Sequence, residues 1–281
     1  MQNSNKFAAS RGVVLFALNT QVDYVHIADR ASRLIQHTLG LPVTLITDDQ
    51  GQPRFAYDQV IRISKSHDKN VRASANEQII SWRNFDRYLA YELSPYDETI
   101  LLDSDYLVLD NSLDTLFNTD FDYRLTHWNQ TPGIAGNEVM GVTSLPYIWA
   151  TVVLFRKCPR SQMLFDMVGR IQRNYTYYRA LFNIHQVNYR NDFGFTMANV
   201  ILNGYSLNES QSIPWSMLSL YHDVETITTT GNFLKINHPV VEGHRWPLTT
   251  VLVKQNLHIL DKDYLQSENF DQFVKAICES A

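Results

Sequence analysis

Along the first hundred residues the apolar positions fall into two patterns. Residues 12–18, Gly12 followed by VVLFAL, are a continuous apolar run, which predicts a strand buried on both faces, as in a parallel sheet. Residues 22–39 instead set Val25, Ala28, Ala31, Leu34, Ile35 and Leu39 at helical spacing, with Gly40 as a stop. Further strands are predicted from Val43 to Thr47, closed by Asp48-Asp49, and from Val60 to Ile63. Ile79, Trp82, Leu89 and Leu93 predict a helix over 76–93, with Arg83 and Arg87 four apart on one face and Ser94-Pro95 at its end. Thr99 to Leu102 is the fourth strand and runs into Asp103-Ser104-Asp105. This alternation predicts an α/β fold with a mostly parallel central sheet flanked by helices. Ligands of such sheets sit at the carboxyl ends of strands, where Asn19-Thr20, Asp48 and Asp103–Asp105 all stand.

The second half is less regular. A strand is predicted over Ile148 to Phe155, and helices over 160–183 and Phe195 to Leu202; few elements can be assigned beyond residue 205. There is no repeat and no linker rich in Pro, Gly or Ser. The reading is therefore a single domain over residues 1–281, built of two packed halves, 12–117 and 118–281.

Composition narrows the classes. With 44% hydrophobic and 19% charged residues the chain can bury a large core and is not a disordered one. Its net charge of −5 disfavours a duplex-binding protein driven by overall electrostatics. Cys158 and Cys278 make neither a disulfide framework nor a zinc pattern. No signal-peptide layout and no run of 18 apolar residues is present, so no membrane span and a cytoplasmic location are expected.

Asp103 and Asp105 are two positions apart, so on an extended segment they point to the same side. Carboxylates this close repel unless a proton or cation lies between them, and a hard divalent ion with oxygen ligands meets that need. Such an ion also binds both phosphates of a nucleoside diphosphate and stabilises it as a leaving group. D-x-D alone is common in solvated turns; here it follows a predicted helix, a short turn and a buried strand.

The stretch WRNFDRYLAYELSPYDETILLDSDYLVLDNSLDTLF, residues 82–117, resembles the core of the GT-A-fold glycosyltransferases of the glycogenin and bacterial lipooligosaccharide galactosyltransferase type. VVLFALNTQVDY resembles the family's first strand and the loop that holds the uridine. The resemblance covers roughly residues 12–117 and extends in outline to transferases of tailed bacteriophages. It implies a nucleotide-sugar donor, UDP-sugar foremost, and Mn2+ or Mg2+ held by Asp103 and Asp105. By the same resemblance Ser104, Asn19, Thr20 and Tyr24 bind the nucleotide-sugar, residues 12–117 being the nucleotide-sugar half. Arg87 matches a basic residue that contacts the donor and assists catalysis. For Tyr24 an ordinary helix-start aromatic, and for Arg87 a solvated helix face, are the plain alternatives.

The family adds a histidine ligand near the C-terminus and, a few residues on, a lysine that reaches the diphosphate. His258 with Lys262 is the best match, although the family's His-x-x-Gly-x-x-Lys-Pro-Trp is not reproduced; His238 and His244 are rivals. Asp192 matches an acceptor-side acidic or amide position, as a base or as a carboxylate beneath the sugar, and a helix N-cap is its structural alternative. Where the family often has Asn-x-Gly, this chain reads Tyr147-Ile148-Trp149-Ala150-Thr151, so the donor sugar does not carry over.

Residues 156–190 hold seven cations and one acid, Asp166, a charge of +6 that leaves −11 for the rest of the chain (−5 minus +6). Arg170, Arg173, Tyr177, Tyr178 and Arg179 in this segment are the candidate acceptor contacts. Cations interleaved with aromatics suit a polyanion, such as hydroxymethylated phage DNA; a solvated helix with an aromatic core face is the bland alternative. A cell-surface glycan is the other acceptor class. A nucleotidyltransferase would show a Gly-rich phosphate loop, which residues 12–24 lack, and a non-catalytic sugar-nucleotide-binding protein would tolerate loss of either aspartate.

Overall fold

The computed structural model describes residues 10–64, 71–73, 79–81, 86–132, 139–140, 145–206, 211–221, 223–240 and 248–279. The first-half elements that build the site are β1 (Arg11–Ala17), α1 (Tyr24–Leu39), β2 (Val43–Thr47), β3 (Gln59–Arg62), β4 (Glu98–Asp103) and β5 (Tyr106–Leu107). Then come β6 (Tyr123–Thr126), β7 (Asn129–Gln130), β8 (Trp149–Arg156), α2 (Pro159–Arg173), α3 (Tyr175–Leu181) and α4 (Asn191–Leu202). The chain continues through β9 (Met217–Leu220), β10 (Thr226–Thr230), β11 (Phe233–Asn237), β12 (Thr249–Val253), β13 (Leu257–Ile259), α5 (Lys262–Gln266) and α6 (Glu268–Glu279).

The main sheet has the order β3-β2-β1-β4-β8-β6. β3, β2, β1 and β4 are parallel to one another, and β8 runs against both of its neighbours. The fold class is thus the expected one. Beyond Arg11, β1 and β2 are buried along their whole length, as strands inside such a sheet are: Val13, Val14, Leu15, Leu45 and Ile46 are buried, and so are the polar Thr44 and Thr47 of β2. α1 starts at Asp23, whose carboxylate accepts from the His26 amide at 3.0 Å, and ends at Gly40, whose φ of 65° few other residues adopt without strain. Two sides of α1 are buried. Ala28 and Ile35 join the main core, while Ile27 and Leu34 join a second cluster with Leu107, Leu220, Leu257, Phe270 and Phe273.

Three expectations need correcting. The stretch 76–93 is not one helix: Ile79–Ser81 pairs antiparallel with Val71–Ala73, and helical structure begins only at Asp86, as one 3-10 turn to Leu89 followed by Ala90–Leu93. β-branched Ile79 and Ile80 find a strand partner, and pairing outweighs spacing that also fits a helix. Trp82 and Arg83 lie outside the described residues. The predicted 160–183 helix is broken at Asn174 into α2 and α3. Beyond residue 205 the chain forms short strands: a second sheet, β5-β13-β9-β7, and the meander β10-β11-β12. Among the described residues no helix is long and apolar enough to cross a membrane.

β8 is irregular beside β6. Trp149 faces Thr126 but Val153 faces Leu125, so Ala150–Val152 bulge from that pairing. Side chains take up backbone groups in this stretch. The Ala150 N–H donates to Asp192 (2.9 Å), the Thr151 carbonyl accepts from Arg87 (3.3 Å), and the Val152 carbonyl accepts from Thr126 (3.1 Å).

Candidate metal centre

β4 delivers Asp103 at its carboxyl end, and Asp105 follows just before β5. β5 pairs antiparallel with β13, setting His258 opposite Tyr106, and the Ile259 N–H donates to the Asp105 carbonyl at 3.0 Å. Asp105 and His258, 153 positions apart in sequence, therefore meet. One ligand atom from each of Asp103, Asp105 and His258 lies within 4.8 Å of the others. The rival His238 is engaged elsewhere: its Nδ1 lies 2.8 Å from the Asp223 carbonyl and its Nε2 lies 3.1 Å from Thr250 Oγ1. His244 lies outside the described residues.

The surroundings of His258 fix which nitrogen faces the aspartates. Ser219 Oγ donates its one proton to Asn129 Oδ1 (2.7 Å), whose amide nitrogen in turn donates to the Tyr221 hydroxyl (3.1 Å). Ser219 can then only accept from His258 Nδ1, 3.1 Å away, so Nδ1 carries a proton. In the neutral ring Nε2 is left with its lone pair toward Asp105 Oδ1 at 3.5 Å. That oxygen is buried and has no hydrogen-bond partner. A lone pair facing a carboxylate is repulsive; a cation between them removes the repulsion, and a histidine held through its other nitrogen is the usual form of a metal ligand. The residues present thus fit a divalent ion.

Two cations hold the carboxylates meanwhile. Arg87, with 0% of its side chain exposed, reaches Asp103 Oδ1 at 2.7 Å, and its Nε is unpartnered. It lies on the 3-10 turn, fully buried rather than on a solvated helix face. Lys262, the first residue of α5, pairs with Asp105 Oδ2 and also reaches the Ile259 carbonyl at 3.3 Å. Burial and the adjacent Asp105 charge push the Asp103 carboxyl up against the pull of Arg87. At Asp105 burial also acts upward, but the adjacent Lys262 ammonium opposes it, and that carboxyl lies well below the ordinary range. Ser104, between the two, is buried.

Asn19 and Thr20 follow β1 as expected. Asn19 organises its loop: its side-chain oxygen accepts from the Val25 N–H (3.0 Å), its amide donates to Asp49 (2.7 Å), and its backbone N–H donates to Asp48 (3.3 Å). Thr20 Oγ1 accepts from the Val22 N–H at 3.4 Å, and Tyr24 packs half-buried against both core clusters. Asp192 is not an N-cap. Arg190 holds that position, and Asp192 binds Ala150 N–H with one oxygen and Arg190 with the other (2.9 Å). Its charge nevertheless acts on Asp103.

The basic segment divides. Arg156 is internal, bonded to Glu98 and to the carbonyls of Phe117, Thr119 and Phe121, while Lys157 reaches the Tyr91 carbonyl. Arg160 donates to Asn203 at 2.8 Å. Arg170 and Arg173 are exposed on α2, the latter over the Tyr88 ring at 5.5 Å, and Arg179 reaches the His185 carbonyl at 3.5 Å. Tyr177 is exposed, Tyr178 half-buried, and their rings are 5.2 Å apart. Asn129, Ser219 and the Thr151 carbonyl went unpredicted: a Ser or Asn on a two- to four-residue strand carries no signal in sequence.

Fold and cluster together define a GT-A-like α/β protein with a candidate divalent-metal centre. A solved structure that covers nearly the whole chain agrees on the fold. An active-site mutant of the galactosyltransferase LgtC superposes with a TM-score of 0.50 at 16% identity, covering 96% of this chain and 95% of that one. LgtC with donor and acceptor sugar analogs matches at 0.42 and 16%, covering 67% and 69%. The glycosyltransferase GlyE of Streptococcus pneumoniae TIGR4 matches at 0.42 and 16%, over 73% of this chain, which spans only 45% of GlyE. No protein-family model and no curated protein matches the sequence.

Proposed function

We propose that the chain is a metal-dependent glycosyltransferase that moves a sugar from a nucleoside-diphosphate sugar, UDP-sugar foremost, to an acceptor hydroxyl. The carrying observation is the cluster of Asp103, Asp105 and His258, with the unpartnered Asp105 Oδ1 inside it and His258 turned so that Nε2 faces it. The fold it shares with a galactosyltransferase supports the reading. These three residues would hold Mn2+ or Mg2+, which when bound neutralises the diphosphate as it departs. Arg87 fixes the orientation of Asp103 from below. Lys262, resting on Asp105, lies where it can turn to phosphate oxygens, and Asn19, Thr20, Tyr24 and Ser104 belong to the donor side. Asp192 belongs to the acceptor side. Since both its oxygens hold donors, a carboxylate beneath the sugar fits better than a base. The acceptor reading rests on Arg170, Arg173, Tyr177, Tyr178 and Arg179, whose chemistry suits a polyanion, DNA included.

Slow hydrolysis of UDP-sugars tests this without an acceptor. Hydrolysis by the wild type is expected to require Mn2+ or Mg2+, and Asp105→Asn to lower it at least about 100-fold while the melting temperature stays near wild type. Full activity in excess chelator would remove the metal from the reading. Donor binding without hydrolysis or transfer to any acceptor would make the chain a binding protein instead.

A further inference from the structure

Paired with Asp192 is a cation that the donor chemistry does not use. Arg190 donates from Nε to Asp192 Oδ2 at 3.1 Å, with Nη2 at 2.9 Å, so two of its nitrogens meet one carboxylate. Its guanidinium lies over two rings, 6.0 Å from the centroid of Tyr147 and 5.8 Å from that of Phe193. Those rings pack edge to face at 5.9 Å, and Trp149 meets Tyr147 at 5.0 Å. Tyr147 and Trp149 thus stand where the family resemblance implied Asn-x-Gly, and with Phe193 they put aromatic surface beside the cation. Even so, 44% of the Arg190 side chain is exposed. A guanidinium held by a carboxylate and flanked by aromatic rings, yet partly exposed, is suited to recognition of phosphate or carboxylate. Arg179 is a second cation nearby, since the charges of both arginines act on the Tyr175 hydroxyl. Asp192 holds the Ala150 N–H, and Arg87, which binds Asp103, reaches the carbonyl of the next residue, Thr151, so the pair stands beside the residues that carry Asp103.

We propose that Arg190, held by Asp192 over Tyr147 and Phe193, is a specificity residue that binds an anionic group carried by the acceptor near its reacting hydroxyl. This rests on the glycosyltransferase reading and extends it, because it assigns Asp192 the role of positioning Arg190. Phosphate esters and carboxylates share the required chemistry, and separate probes distinguish them.

The experiment measures binding of glucose, glucose 6-phosphate and glucuronate to the full chain in chelator, by calorimetry, for wild type, Arg190→Gln and Arg190→Lys. Wild type is expected to prefer at least one anionic sugar over glucose by about ten-fold or more. Arg190→Gln should erase that preference and Arg190→Lys restore part of it. The better of the two anionic probes identifies the group. Equal binding of all three sugars by wild type, or an undiminished preference in Arg190→Gln, overturns the proposal. Affinity of the wild type for UDP with Mn2+ is measured on the same preparation. If that is absent while the anion preference depends on Arg190, the donor reading fails and the anion site stands.

Discussion

The proton on His258 Nδ1 decides whether a lone pair faces the two aspartates. It is held there by Ser219, and Ser219 is oriented by Asn129. Ser219→Ala removes the acceptor while leaving all three ligands in place. Mn2+ affinity is expected to fall about ten-fold or more, with partial recovery in Ser219→Thr, as calorimetry will show. Unchanged affinity in Ser219→Ala would mean that something else sets the ring. Arg87 makes a related point. The sequence predicted a basic residue close to the donor, and the structure buries it against Asp103, because an arginine without exposure must have an anion at hand.

Among elements, the contact between α1 and α6 ties the C-terminal cluster to the first half of the chain. Buried Arg30 on α1 binds Asp271 on α6 through two nitrogens, at 2.7 and 2.5 Å, and the Leu265 carbonyl at 2.7 Å. Asp271→Asn leaves that guanidinium without its anion and should cost about 1–2 kcal/mol at neutral pH, the exposure of Asp271 limiting the loss. The hydrogen bond from Arg30 holds the Asp271 carboxyl below its ordinary value despite partial burial. The pair is therefore fully formed above about pH 4 and is lost as pH falls through the lowered folded-state value. Urea melts of both proteins should differ most near neutrality and converge from about pH 4 downward. A constant difference across that range would show that the effect is packing rather than charge.

For the whole molecule, the relevant quantity is the +6 of residues 156–190 against −11 elsewhere. Part of that charge is internal, in Arg156 above all, which leaves Arg170, Arg173 and Arg179 for a polyanionic acceptor. Replacing these three by Gln should flatten the salt dependence of binding to single-stranded DNA by up to about three units. An unaltered slope, or no binding by wild type, turns the acceptor reading toward a glycan. The first half of the fold was legible because β1, β2 and β4 are buried almost throughout and so read as largely apolar runs. The second half was not. Its strands β7, β9 and β13 have two to four residues, too few to show a period, and their neighbours come from distant parts of the chain. Asp103 and Asp105 were legible for the converse reason, two acids closing an apolar strand. His258 needed the family resemblance, since nothing in NLHILDK distinguishes it from a structural histidine.

The pairing of Lys262 with Asp105 also carries a thermodynamic consequence. A metal ion arriving alone must displace an ammonium group that then has no anion to meet. A diphosphate arriving alone finds Lys262 already engaged. Together each removes the other's obstacle, since phosphate oxygens give the displaced ammonium a partner and the ion replaces it at Asp105. Under the proposed function ion and nucleotide are thus expected to be positively linked ligands, each strengthening the other's affinity by the same factor by reciprocity.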